Sequence, residues 1–386
     1  MPLSYQAKLA TIRGYHGMVD TQSPPQSPVS PPDEASRKTA RHSFSFNGSA
    51  LEYFSIWIVN VALTVITLGL YSPWAKVRRE RYLTSHTELA GVQFEYTADP
   101  WKIFKGRMVL IGAFIVIAVA RAIPGLWVLV VFPLLALGWP WVLASALRFR
   151  ARYTSYRNLS FHFTGTAGGA FTSCMLPKAA AVLTLWLLAP WAQLSSKRYA
   201  VNNLQYGVTP FQSHVTFGQV YRVYGGAAIV FFVGVVLTTY GVVVAGISSA
   251  ALESGDLSLL SLPRLVISIS LVASGIGAIV CAPGYIRLGV AHRVWDGTSI
   301  GAFSVSWKPS MKRYLVIAIT NTLLRSVTLG LATPWCVVRV RRFLLEDLAV
   351  IGSQSLDDFV GERRAEIRSL GEQAADSYDL DIDFGF

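Results

Sequence analysis

Charge is what this sequence has least of. Only 15% of its 386 residues are Asp, Glu, Lys or Arg, against about a quarter in a soluble domain. With 52% hydrophobic residues and a mean hydropathy of +0.43, the balance points to a lipid bilayer. Cysteine is equally scarce. Cys174, Cys281 and Cys336 stand far apart with no CxxC pair, which argues against a disulfide framework and a zinc site. The six histidines lie in tails or polar stretches, with no i, i+4 pair to hold a metal. GxSxG, Walker, HExxH and strand–GxGxxG–helix phrases are all missing. The expectation is therefore a protein that is not an enzyme, with no catalytic residue, cofactor or metal.

An apolar leader is also missing from the first forty residues. They carry "SPPQSPVSPP" (23–32) instead, which cannot bury a core, so residues 1–42 read as a disordered Pro/Ser-rich tail. Charge is unevenly spread. Residues 346–386 hold 11 acids against 3 bases, whereas residues 1–345 hold 31 bases against 11 acids. The basic residues flank apolar runs and form no soluble groove. Anionic lipid headgroups are therefore the expected partner and nucleic acid is not. Residues 353–386 form an acidic tail, either solvated or docked on a protein partner or on the basic face. "DDFVGERRAEI" (357–367) suits a short helix.

What the chain does contain is apolar runs at about 53–73, 108–120, 126–147, 179–191, 226–250, 265–283 and 314–333. A full crossing takes about 20 residues. Several runs end in the same phrase: "TLGLYSPW" (67–74) returns as "TLGLATPW" (328–335). Aligned on Pro-Trp, Pro73-Trp74, Pro190-Trp191 and Pro334-Trp335 are followed at fixed offsets by Arg81-Tyr82, Arg198-Tyr199 and Arg342-Phe343. "FSFNG" (44–48) and "FHFTG" (161–165) precede the first two at one spacing. The expected layout is a membrane domain over 43–352 with three repeats, about 44–150, 161–290 and 303–352. The expected fold is an all-α integral membrane protein of repeated helix–Pro-Trp–helix units plus transmembrane hairpins, with short β-strands on the cytoplasmic face.

The phrase reads first as a membrane-exit device. Gly69 permits close backbone approach, Pro73 ends helical donation, Trp74 prefers the headgroup boundary, and Arg78 and Arg81 hold the next turn there. Asn60 and Thr67 share a helix face, as do Asn321 and Thr328, with Arg325 one turn from Asn321. Polar groups at membrane depth face a partner or a cavity, so these five are the candidate intramembrane site.

Topology stays open between four and seven crossings. The stretches 76–107, 148–178, 193–222 and 285–313 carry seven, five, three and five Lys/Arg. All lie on one side if the three Pro-Trp helices are re-entrant.

The segment "FSFNGSALEYFSIWIVNVALTVITLGLYSPWAKVRRERY" (44–82), with "TLGLATPWCVVRVRRF" (328–343), resembles the YjgN-like family of bacterial inner-membrane proteins, classed as of unknown function. The resemblance covers roughly residues 43–352; "LTLWLLAPWAQLSSKRY" (183–199) departs from its pattern. It implies a multi-pass protein of the bacterial inner membrane and supplies no reaction or substrate. Two functions are expected from the residues: a non-enzymatic envelope protein binding lipids or partners, or a channel or transporter for a small solute using broken helices around Asn60, Asn321 and Arg325.

Overall fold

A computed structural model describes residues 40–122, 125–254 and 262–379. The tail expected over 1–42 lies almost wholly outside them. Ten short strands alternate with helical hairpins: β1 (Ala40–Phe46), α1 (Ala50–Ile66), α2 (Ser72–Ser85), β2 (Thr87–Leu89) and β3 (Val92–Tyr96) open the chain. Next come α3 (Pro100–Ala120), α4 (Leu126–Pro133), a π-helical turn, α5 (Trp139–Arg152), β4 (Thr154–Tyr156) and β5 (Leu159–Phe163). The third stretch is α6 (Ala167–Ala170), α7 (Leu176–Leu183), α8 (Ala189–Asn202), β6 (Leu204–Tyr206) and β7 (Thr209–Ser213). The chain then forms α9 (Phe217–Ser254), α10 (Leu262–Asp296), β8 (Thr298–Ile300), β9 (Phe303–Trp307), α11 (Met311–Val327), α12 (Thr333–Glu346), β10 (Leu348–Gly352) and α13 (Leu356–Asp379).

The strands close into one antiparallel barrel, each pairing with its neighbours in sequence and β10 pairing with β1. This corrects the all-α expectation. Each strand is only three to seven residues long, and a helical hairpin or the length of the chain separates it from one of its two partners, so its period-2 signal looks like an isolated decoration. Two local features assemble the strands. Tight two-residue turns join β2 to β3 and β4 to β5, with positive φ at Ala90 (51°), Gly91 (77°), Arg157 (50°) and Asn158 (60°). That geometry matches the twist of paired strands. Each helical hairpin also returns its chain to the barrel wall beside the strand it left. Closure then removes both sheet edges.

The barrel is filled. Leu89, Tyr156, Leu159, Tyr206, Ile300, Phe303 and Val350 pack with Phe44, Phe94, Phe161 and Phe211. Leu356, Phe359 and Val360 of α13 insert into the same core, so the first turns of the acidic segment plug the barrel. The Tyr206 hydroxyl donates to the Tyr156 carbonyl at 2.9 Å, and Tyr156 donates to the Leu89 carbonyl at 2.8 Å. Burial pushes both phenols above their ordinary pKa. The FxFxG phrase has a steric basis, because a Cβ on Gly48 would lie 2.5 Å from the Phe46 ring and one on Gly165 2.5 Å from Phe163.

The architecture divides into five units, each a strand, a helical hairpin and a strand. Adjacent hairpins touch: α12 packs on α1, α2 on α3, α8 on α9 and α10 on α11. Among the described residues, four segments are long and apolar enough to cross a membrane: Pro100–Ala120, Leu129–Arg152, Phe217–Ile247 and Pro263–Asp296. They belong to the second and fourth hairpins. The other three hairpins are shorter. Helix α1, with 17 residues, is about 26 Å long at 1.5 Å per residue.

Candidate functional site

The repeated TLG phrase forms the tips of the short hairpins. Thr67 caps α1: its hydroxyl donates to the Leu63 carbonyl at 2.7 Å and accepts from the Tyr71 amide at 3.0 Å. Thr328 does the same with Leu324 (2.6 Å) and Ala332 (3.1 Å). Behind each Thr come two residues of positive φ, Leu68 (49°) and Gly69 (90°), then Leu329 (49°) and Gly330 (90°). The Gly69 amide reaches back to Thr64 and the Gly330 amide to Arg325, each at 2.7 Å. This is a left-handed helix C-cap, for which glycine is the least strained residue. The middle copy, which lacks the glycine, bends in the same sense, with positive φ at Leu185 (48°) and Trp186 (70°). Thr67 and Thr328 are thus occupied by the turn.

Pro73, Pro190 and Pro334 are buried in the first turns of α2, α8 and α12. Trp74 stacks on Tyr71 (6.1 Å) and meets Trp101 edge-on (5.0 Å), while Trp335 packs on Phe54 (5.1 Å). Trp191 is half-buried. The arginines divide. Arg78 lies over the Tyr71 ring at 5.7 Å, and Arg81 is exposed. Arg198 donates to the Val215 carbonyl, and Arg342 donates to the Gly48 carbonyl at 3.4 Å. Gly48 and Val215 occupy the same place, two residues beyond a barrel strand and two before a helix. These two arginines tie one unit to the next.

The five candidate polar residues do not form one site. Asn321 is buried between α11 and α12, where its Nδ2 donates to the Cys336 carbonyl at 3.4 Å. Arg325 is exposed on α11. Asn60 lines a cleft of about 430 Å³ between α1, α2 and the start of α3, and its buried Oδ1 lacks a protein partner. Ser72, Lys76, Arg79 and Arg107 join it there. Arg107 rises from α3 to donate to the Ser72 hydroxyl, which itself donates to the Gly69 carbonyl. Three cations and no acid line this cleft, while Trp57, Val61 and Val65 form an apolar wall. Glu80 pairs with Arg79 from outside the lining (2.7 Å). Lys76 and Arg107 were not read as site residues from sequence; the only available signal was Arg107 standing immediately before the apolar run at 108. Among the described residues, no group of three or more His, Cys, Asp or Glu side chains comes together.

The family described as "Bacterial protein of unknown function (DUF898)" matches residues 41–377. The inner membrane protein YjgN of Escherichia coli O157:H7 is 34% identical over 132 residues, 34% of this chain and 33% of that protein. Its counterpart in Salmonella typhimurium is 32% identical over 131 residues, 33% of each chain. These matches span about a third of the length of the curated relatives. No solved structure matches the chain.

Proposed function

We propose, for a chain that belongs to the YjgN-like (DUF898) family and is a multi-pass inner-membrane protein, that it is a non-enzymatic lipid-interacting protein whose Asn60 cleft holds anionic phospholipid headgroups. The observation that carries this reading is the pairing of Lys76, Arg79 and Arg107 with an apolar wall in one cleft. A phosphate between those cations would leave its acyl chains against Trp57, Val61 and Val65. The Asn60 side chain has donor hydrogens for a headgroup oxygen.

The hairpins support the same setting. Leu68 and Leu329 at the tips are 93% exposed and Leu185 is 88% exposed, an arrangement suited to lipid and not to water. Both ends of each short hairpin attach to the barrel, so these hairpins enter and leave on one side. The positive-inside rule then puts the barrel, with the basic hairpin bases around it, at the cytoplasmic face.

The test is lipid retention by the full chain released from nanodiscs into a mass spectrometer. Phosphatidylglycerol should be held in preference to phosphatidylcholine, and Lys76→Ala with Arg107→Ala should remove the preference. Equal retention of the two lipids by the unmodified chain would sink the proposal. The channel reading keeps less support, because of its three residues Asn321 is packed shut and Arg325 faces outward. Solute flux above that of empty liposomes, abolished by Asn60→Leu, would revive it.

A further inference from the structure

A second recess, of about 820 Å³, lies on the outer wall of the barrel where α5 and the first turn of α3 meet β5 and β6. We infer that this groove is a binding site for a phosphate group, separate from the Asn60 cleft and independent of its assignment. The volume lies within the range of small-ligand pockets, about 300–1,000 Å³. Its cationic side chains are Lys102, Arg148 and Arg152, with His162 beside them, and no Asp or Glu lines it. None of the five ion pairs among the described residues uses any of these four.

The placement of the two arginines is the strongest clue. Arg148 and Arg152 are four apart on α5, on one helix face. Like charges at that spacing repel and weaken a helix, unless an anion lies between them. Arg148 directs its Nε to the Ala144 carbonyl at 3.4 Å, which leaves both terminal nitrogens for a ligand. Lys102 is held at the rim, its Nζ donating to the Tyr153 hydroxyl at 2.7 Å and lying 5.2 Å from that ring's centre. Thr164 and Gln205 add neutral hydrogen-bonding groups to the floor. A carboxylate offers two oxygens and one charge, enough for one arginine fork. A phosphate monoester offers three terminal oxygens and close to two charges, so it can engage both forks and Lys102 together.

The phosphate is either free or carried by a lipid, and two arms separate these sources. The full chain in detergent is titrated with inorganic phosphate by calorimetry. In parallel, it is placed in phosphatidylcholine nanodiscs with and without phosphatidic acid, and bound lipid is weighed by mass spectrometry. Saturable binding in either arm should fall about tenfold or more, the equivalent of about 1.4 kcal/mol, in the Arg148→Ala/Arg152→Ala variant. The exposed single change Arg152→Glu should do the same, which guards against a misfolded double variant. In the phosphatidic acid arm every chain also carries Lys76→Ala and Arg107→Ala, so that lipid in the Asn60 cleft is not counted, and the exposed Lys308→Ala, outside both recesses, should leave binding unchanged. Loss only with inorganic phosphate assigns a soluble ligand, and loss only with phosphatidic acid assigns a headgroup. No binding in either arm by the chain that keeps both groove arginines, or a smaller loss in both arginine variants, overturns the inference.

Discussion

The first and fifth hairpins share a phrase and a turn yet differ where it matters. In both, an Asn stands seven residues before the capping Thr, and the tip residues carry the same dihedral angles. In the fifth hairpin the Asn is sealed against α12, where Cys336 returns a weak Sγ hydrogen bond to the Asn321 carbonyl at 3.7 Å. The position matching Cys336 in the first hairpin is Ala75, which lines the open cleft. The neighbours differ as well. Helix α2 packs on α3, a long membrane-capable helix that sends Arg107 across to Ser72, whereas α12 packs on the short α1, where Trp335 meets Phe54. One sequence device therefore builds either packing or a pocket, according to what its second helix meets.

This contrast can be broken in three ways. The largest effect is expected at Tyr53, 2% exposed and stacked on Tyr82 at 5.5 Å. Tyr53→Ala should cost about 3–5 kcal/mol, as large aromatic truncations do. The matching Tyr314, half-buried against Phe343 at 6.1 Å, should cost clearly less in the same thermal unfolding experiment in detergent. Equal losses would mean that the two hairpins are packed alike. Next come the tips. Gly69→Val and Gly330→Val place a β-branched residue at φ 90° and should each cost about 1–2 kcal/mol. A large difference between them would show that the turns are not equivalent. The smallest effect separates the asparagines. Asn321→Ala should cost about 1 kcal/mol for its buried hydrogen bond, while Asn60→Ala, which removes a buried Oδ1 without a protein partner, should cost less and show itself in lipid selectivity. A reversed order would place the functional pocket in the fifth hairpin.

Much of this was legible in the letters. The Pro-Trp spacing locates the second helices of the first, third and fifth hairpins, and "FSFNG" and "FHFTG" locate two barrel strands. The barrel itself was hidden, because pairing partners such as Phe46 and Thr87 are separated by an entire helical hairpin, and three-residue strands such as "TEL" carry no measurable alternation. For the site, Asn60 was visible as a polar group in an apolar run. Its cationic neighbours were not, since Lys76 and Arg79 look like any arginine-rich exit and Arg107 comes from a different hairpin. Pockets made between repeats leave no mark within a repeat. Asn321 shows the converse: the same Asn–Thr spacing in a different neighbourhood leaves its side chain packed between α11 and α12.

The pairing of Ala40 with Gly352 that closes the barrel also sets a schedule for biogenesis. When β1 emerges from the ribosome, its partner on one side is some 300 residues from being made, a delay of about 15–60 s at 5–20 residues per second. Throughout that interval a strand bearing Phe44 and Phe46 offers an unpaired edge beside the membrane, open to any other nascent strand. The plug helix is made after all ten strands, so the aromatic interior is sealed only once the barrel wall is complete. A chaperone or the insertion machinery that shields this edge would therefore act on the first strand of the barrel, not the last.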